Sequence, residues 1–217
     1  HIMVEMGQHV GRKVTAIISG MDQPLGMYIG NSLEVMEAME VLKGNVKGDL
    51  LEVSLLLGAH MLLLAGRVQT EAEGTALLQQ QIDNGAGIAK FRELLIQQGG
   101  NPAIIEQPDL LPLSPYSLEV KAEKSGYLTH MDTAKIGRAS QETGAGRAFK
   151  EQPLDFGAGI ITKKRLGDYV EAGEVLAVIY SATDKACASA AEIFQSALTI
   201  SAEKAPLPPL VLNIISA

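Results

Sequence analysis

The residues best suited to chemistry lie in two glycine-bearing loops. One is Gly144-Ala-Gly-Arg147. Two glycines let the backbone approach a ligand closely, and an arginine fork can grip phosphate. The same four residues also suit a solvated turn with an exposed arginine, so both readings stand at this point. Arg138 and Glu142 are near enough in sequence to pair with Arg147. The other loop, residues 21–30, carries Pro24, Gly26 and Gly30 between an apolar run and a helix. The four histidines, His1, His9, His60 and His130, show no metal-ligand spacing. No Ser-His-Asp or Cys-His arrangement stands out, and no dinucleotide or P-loop fingerprint follows the first strand. Cys187 lies among Ala and Ser and reads as a small core residue rather than a nucleophile.

The elements that hold these loops can be read from hydrophobic period and caps. Residues 14–18 form a short β-branched run that predicts a buried strand. Asn31 is placed to cap a helix, with Glu34 three residues on as in a capping box. Leu33, Val35, Met36, Met39, Val41 and Leu42 give that helix an apolar side, and Gly44 ends it. In an α/β domain, a loop between strand and helix is where ligands gather. It can equally be plain scaffold.

Residues 49–66 predict a helix apolar almost all round, and hence an interior one. His60 on it reads as a core or helix-interface histidine making one hydrogen bond. Thr70 caps the next helix, with Glu71 and Glu73 in its first turn. Another helix spans 86–98, with Ile88, Phe91, Leu94 and Leu95 on one face. Asn101-Pro102 starts a brief helical turn. Pro108, Pro112 and Pro115 then bracket a linker-like stretch, 110–114. Beyond it come β-rich runs at 116–122, 127–131, 158–163 and 175–180, a helix at 184–198 and a tail strand at 210–215.

Composition narrows the function classes. The chain has 217 residues, 47% hydrophobic but only 4% aromatic with no Trp, so its core must be aliphatic. A net charge of −7 argues against nucleic-acid binding through a basic surface. A single cysteine cannot close an internal disulfide, so nothing calls for an oxidising compartment. The most apolar segment, 50–64, is interrupted by Glu52, Ser54 and His60, which disfavours a membrane span. Together these features predict a cytoplasmic protein without nucleic-acid or membrane partners.

Several motifs in order carry a family resemblance. They are Ser19-Gly-Met-Asp-Gln-Pro-Leu-Gly26, Gly30-Asn-Ser-Leu-Glu-Val-Met-Glu37 and Gly58-Ala-His-Met61, then Ser125-Gly-Tyr127, Gly144-Ala-Gly-Arg147 and Lys163-Lys-Arg-Leu-Gly-Asp168. The chain resembles the pyrimidine nucleoside phosphorylases, a family that includes the thymidine phosphorylases. The resemblance covers nearly everything from Met3, and His1-Ile2 reads as an appended remnant. It implies an α/β plus α+β architecture. Part of the phosphorylase α/β domain would span 3–112, and a β-rich C-terminal cap domain with hammerhead or biotinyl-like hairpins would span 113–217.

Family members run to about twice this length. Their phosphate-binding Lys-x-Ser-Thr-Gly-Gly loop is absent from this sequence, as is the Arg, Ser and Lys set that grips the pyrimidine. The resemblance therefore implies the C-terminal half of a phosphorylase, catalytically inert by itself. The parent reaction would convert a pyrimidine nucleoside and phosphate to free base and pentose 1-phosphate, in a homodimer. Three positions match the family's cation site: Leu25 and Tyr28 through backbone carbonyls, and Glu37 through its carboxylate. A monovalent cation such as K+ would meet only a half-site here. Arg147 would lie near the substrate, and no organic cofactor is implied.

Two alternatives stay open on the sequence. Gly167-Asp168-Tyr-Val-Glu-Ala-Gly173-Glu174 resembles the turns of biotinyl and lipoyl carrier hairpins. Lys135 would be the candidate modified lysine, although no Met-Lys-Met signature flanks it. A phosphoribosyltransferase relative is the other alternative, against which the β-rich cap speaks.

Overall fold

A computed structural model describes residues 1–216. Along the chain run α1 (Ile2–His9), β1 (Thr15–Ser19), β2 (Tyr28–Ile29), α2 (Asn31–Leu42), α3 (Asp49–Leu64), α4 (Glu71–Asp83) and α5 (Ala86–Gln97). Two short 3-10 turns follow, Pro102–Ile105 and Pro108–Leu110. Then come β3 (Tyr116–Lys121), β4 (Gly126–Met131), α6 (Thr133–Glu142), β5 (Gly159–Thr162), β6 (Tyr169–Val170), β7 (Val175–Ser181), α7 (Asp184–Ser196), β8 (Leu198–Ser201) and β9 (Val211–Ser216). These elements form two compact units that interleave in sequence. One takes residues 1–20, 39–100 and the segment from Pro209 onward, and the other takes 21–38 and 101–208.

The first unit is helical with a β ribbon. β1 and β9 pair antiparallel, with Ile17 opposite Ile214. The strand expected at 14–18 thus forms one residue later, and the expected tail strand is its partner. It is not buried as expected. A two-stranded ribbon covers neither face fully, and Ile18 stays exposed. α3 also departs from expectation. Only Val53 and Ala59 on it are buried, and Leu57, Met61 and Leu64 are exposed. The reason is that α4 covers one stripe of α3 and little else in the unit reaches the other sides. Contact along that stripe is close. A Cβ at Gly74 of α4 would lie 2.9 Å from the Cα of Ala59. Thr70 caps α4 as expected, its hydroxyl accepting the N–H of Glu73 at 3.2 Å. The Glu73 carboxylate accepts the N–H of Gln69 in return. His60 makes its one hydrogen bond, to the Glu71 carboxylate at 3.0 Å.

The second unit is built on two antiparallel sheets, β2-β5-β7-β3 and β6-β4-β8. α6 and α7 pack on each other, and α7 also lies against β3 and β7. The core is aliphatic apart from Phe194, with Leu128, Ile136, Ile160, Leu176 and Ile179 all buried. Tyr127 and Tyr169 face each other across β4 and β6, ring centroids 5.1 Å apart in an edge-to-face pair.

The β-rich runs expected beyond residue 115 all form. α6 is not among the expected elements; it is polar on average, yet it buries Ile136, Ala139 and Ser140 along one face. Its start is nonetheless written in Asp132, whose carboxylate accepts the N–H of Lys135. The last helix stops at Ser196 rather than 198, and β8 begins at once. The stretch read as a linker is docked only at its end, while Leu110, Pro112 and Leu113 are exposed. Ser114 is buried, its hydroxyl donating to Asp155 at 2.6 Å and its N–H to the carbonyl of Gly157. Among the described residues no helix is long and apolar enough to cross a membrane.

Candidate functional site

Loop 21–30 is integral to the second unit, not a free lip beyond a strand. Its carbonyl and N–H groups are claimed one after another. The Gln23 amide oxygen accepts the N–H of Leu166 at 2.9 Å. Met27 accepts both the N–H and the hydroxyl of Thr162. Residues 28 and 29 then pair with Ile161 and Ile160 as β2. Gly30 enters α2 at φ 143°, where its missing side chain leaves room for the carbonyl of Ala158. That is the left-handed half of the map, which glycine alone enters freely.

Glu37 is the buried charge of this site, only 4% exposed. Both carboxylate oxygens turn toward the loop. Oε1 accepts the N–H of Met27 at 2.7 Å and Oε2 accepts the N–H of Tyr28 at 3.2 Å. A buried carboxylate persists only when hydrogen-bonded, and these two donors meet that need. On the carbonyl side of the same loop sits Arg165. Its Nη1 lies 2.8 Å from the oxygen of Pro24, 3.1 Å from that of Leu25 and 3.4 Å from that of Gly26. The backbone of Arg165 is itself fixed, its N–H donating to Asp168 at 2.7 Å.

The three residues expected to hold a cation are therefore gathered, but with other partners. An ion needs oxygen atoms free to face it. The Leu25 carbonyl accepts from Arg165, and both Glu37 oxygens accept from backbone N–H groups. As arranged, this donor set does not fit a free cation. Among the described residues, no three His, Cys, Asp or Glu side chains converge on a common point elsewhere.

Asn31 plays a different part from the cap expected of it. Its side-chain amide donates to the carbonyl of Ala145 at 3.0 Å, tying α2 to the 144–147 loop. The reciprocal half of the expected box survives one residue earlier, with the Glu34 carboxylate accepting the N–H of Gly30. The Ser32 N–H is taken by the carbonyl of Phe156. With a carboxylate already on its first turn, the α2 N-terminus is no anion cradle.

The 144–147 loop is held from several sides. Thr143 hydroxyl accepts the N–H of Ala145, and the Gln141 amide donates to the carbonyl of Arg147. Gly144 accepts the N–H of Asp155. Thr143 is itself buried, its carbonyl receiving the hydroxyl of Ser181. The Arg147 side chain is exposed, and among the described residues no ion pair joins it to Glu142. It shares none of the contacts that join Leu25, Tyr28 and Glu37. Arg165, Gln23 and Asp155 are what sequence reasoning missed. Arg165 lies 140 positions from Leu25, and no periodicity reports such a contact.

Lys135 does not sit at a hairpin tip. It lies in the first turn of α6, its ammonium near the carbonyl of Ser196 and the Asp132 carboxylate. A carrier lysine needs free reach, so the carrier alternative loses its residue.

Comparison with known proteins decides between the remaining readings. A family model described as "Glycosyl transferase family, a/b domain" matches residues 2–88. One described as "Pyrimidine nucleoside phosphorylase C-terminal domain" matches residues 127–201. The pyrimidine-nucleoside phosphorylase of Staphylococcus aureus (strain bovine RF122 / ET3-1) is 47% identical over 181 residues, covering 83% of this chain and 42% of the relative. That of strain USA300 is 46% identical over the same shares. This chain belongs to the pyrimidine nucleoside phosphorylase family. It spans less than half the length of the curated relatives it matches. Neither the carrier nor the phosphoribosyltransferase alternative is favoured by these matches. Within the second unit, the contacts of Arg165 and Thr162 join the two matched segments, since loop 21–30 lies in the first and Arg165 in the second.

Proposed function

We propose that this chain is the C-terminal portion of an enzyme that phosphorolyses pyrimidine nucleosides. A phosphate oxygen forms a bond to C1′ of the pentose as the C1′–N1 bond to the pyrimidine breaks. Free base and ribose or deoxyribose 1-phosphate result. The observation that carries this reading is identity of 46–47% to enzymes of that name, running over 83% of the chain. Such a reaction depends on positioning phosphate and on stabilising a departing pyrimidine anion, both tasks for cationic groups. The sequence holds no Lys-x-Ser-Thr-Gly-Gly phosphate loop. The chain's own part is framework and one wall of a cleft, with Arg147 the side chain nearest to substrate.

Finer features belong to the same reading. The domains would divide at 112/113, and the β-rich part would share the hairpin architecture of biotinyl domains without their modification. The complete enzyme would be a cytoplasmic homodimer acting on uridine and thymidine. A chimera tests the reading. The matching part of the Staphylococcus aureus enzyme is exchanged for this chain, and uracil and thymine release is followed in phosphate buffer. Phosphorolysis by the chimera and none by this chain alone is the expected result. Base release by this chain alone, or a folded but inactive chimera, overturns it.

A further inference from the structure

We propose that Arg165 is a built-in cation for loop 24–26, standing where a free monovalent ion would otherwise be held. Three successive carbonyls, those of Pro24, Leu25 and Gly26, converge on one guanidinium nitrogen at 2.8, 3.1 and 3.4 Å. Backbone carbonyls converge in this way around a hard cation. The opposite edge of the same short segment donates its N–H groups to Glu37. The peptide groups of residues 24–28 thus lie between a fixed positive charge and a fixed negative one. The carbonyls of Pro24, Leu25 and Gly26 face the arginine, and the N–H groups of Met27 and Tyr28 face the carboxylate.

The arginine is held for this role. Its own N–H is anchored on Asp168, and the next N–H, of Leu166, is anchored on Gln23 within the loop. Arginine keeps its charge at any working pH, and its planar fork offers five donors and no acceptor. A tethered group acts at a high effective concentration, so a free ion must displace it before reaching the same oxygens. Two cations on one set of carbonyls would also repel each other. The chain should therefore be indifferent to potassium, and removing the Arg165 charge should create a potassium requirement.

The test compares thermal unfolding in potassium chloride with that in tetramethylammonium chloride at equal ionic strength. Wild type should melt at the same temperature in both. Arg165→Gln should melt several degrees lower in tetramethylammonium and regain part of the loss in potassium. Arg165→Lys, which keeps a charge on a shorter-reaching donor, should show no preference between the salts. If Arg165→Gln is unfolded in tetramethylammonium, folding on addition of potassium supports the proposal and failure to fold overturns it. Wild type selectively stabilised by potassium, or Arg165→Gln blind to the choice of cation, also overturns it. Thallium-205 resonance supplies a second reading. A thallous ion bound by wild type at this loop would refute the tethered charge directly. No nucleoside enters these measurements, so their outcome is separate from that of the phosphorolysis assay.

Discussion

Gly26 and Glu37 meet with no room for a methyl group between them. A Cβ on Gly26 would fall 2.1 Å from Oε2 of Glu37 and 2.9 Å from its Cδ. The glycine is needed for close approach, not for an unusual backbone angle, because Gly26 is absent from the positive-φ positions. Gly26→Ala must push the buried carboxylate off the N–H groups of Met27 and Tyr28 or push the loop off Arg165. Overpacking of this kind costs about 1–3 kcal/mol. The urea midpoint should fall with the slope unchanged. A Gly26→Ala midpoint equal to wild type would mean that the carboxylate does not rest against this loop.

Asn31 gives a second prediction. Asn31→Ala removes the one side-chain bond from α2 to the carbonyl of Ala145 and leaves α2 its backbone hydrogen bonds. The global cost should be small, about 0.5–1.5 kcal/mol for one hydrogen bond. The local effect should be larger, because the 144–147 loop is where the tie ends. Hydrogen exchange should speed up at residues 144–150 and stay unchanged in β7. Equal acceleration across the whole second unit would instead point to general destabilisation.

Much of the fold was legible because its signals are local. Thr70, Asn101 and Thr183 each accept an N–H as caps, and each is the residue type that predicts a helix start. The β-rich runs after residue 115 are short and β-branched, and they fold as strands. α6 escaped because it is short and polar on average, although Ile136, Ala139 and Ser140 form one buried face. α3 misled in the other direction. Its composition is that of an interior helix, but burial depends on neighbours, and its unit supplies only one main neighbour. The site was half legible. Glu37 and Leu25 could be marked by family pattern. Their partners could not, because the guanidinium on the loop comes from a strand connection 140 positions away.

Glu40 gives the first unit a definite pH response. Its carboxylate accepts from the Lys43 ammonium at 2.8 Å and from the Asn45 amide at 2.7 Å. The hydrogen bond from Lys43, followed by that from Asn45, holds its pKa below the ordinary carboxylate value. A carboxyl group depressed in the folded state binds its proton more readily when unfolded. Its stabilisation is therefore present above the unfolded value and is lost as pH falls through the folded one. Wild type and Glu40→Gln should differ in urea midpoint at neutral pH and converge as the pH drops below about 4. A difference that persists unchanged into acid would show that packing, not charge, separates the two proteins.

Cys187 should be silent until the second unit unfolds. Its thiol is fully buried in α7, facing the carbonyls of Tyr116 and Ile179. Burial raises its pKa, and the charge of Asp184 raises it further. Both effects disfavour the thiolate, which is the reactive form. A raised thiol pKa means that folding favours the protonated form. Stability linked to this group is full at neutral pH and is lost as pH rises past the unfolded value toward the folded one. A disulfide reagent such as DTNB should leave the native chain unlabelled at pH 8. In urea, labelling should rise along the same curve that reports loss of β-sheet signal. Rapid labelling without denaturant would show that α7 opens by itself, and Cys187→Ser should then weaken the chain far less than its burial beside Phe194 and Ala190 requires.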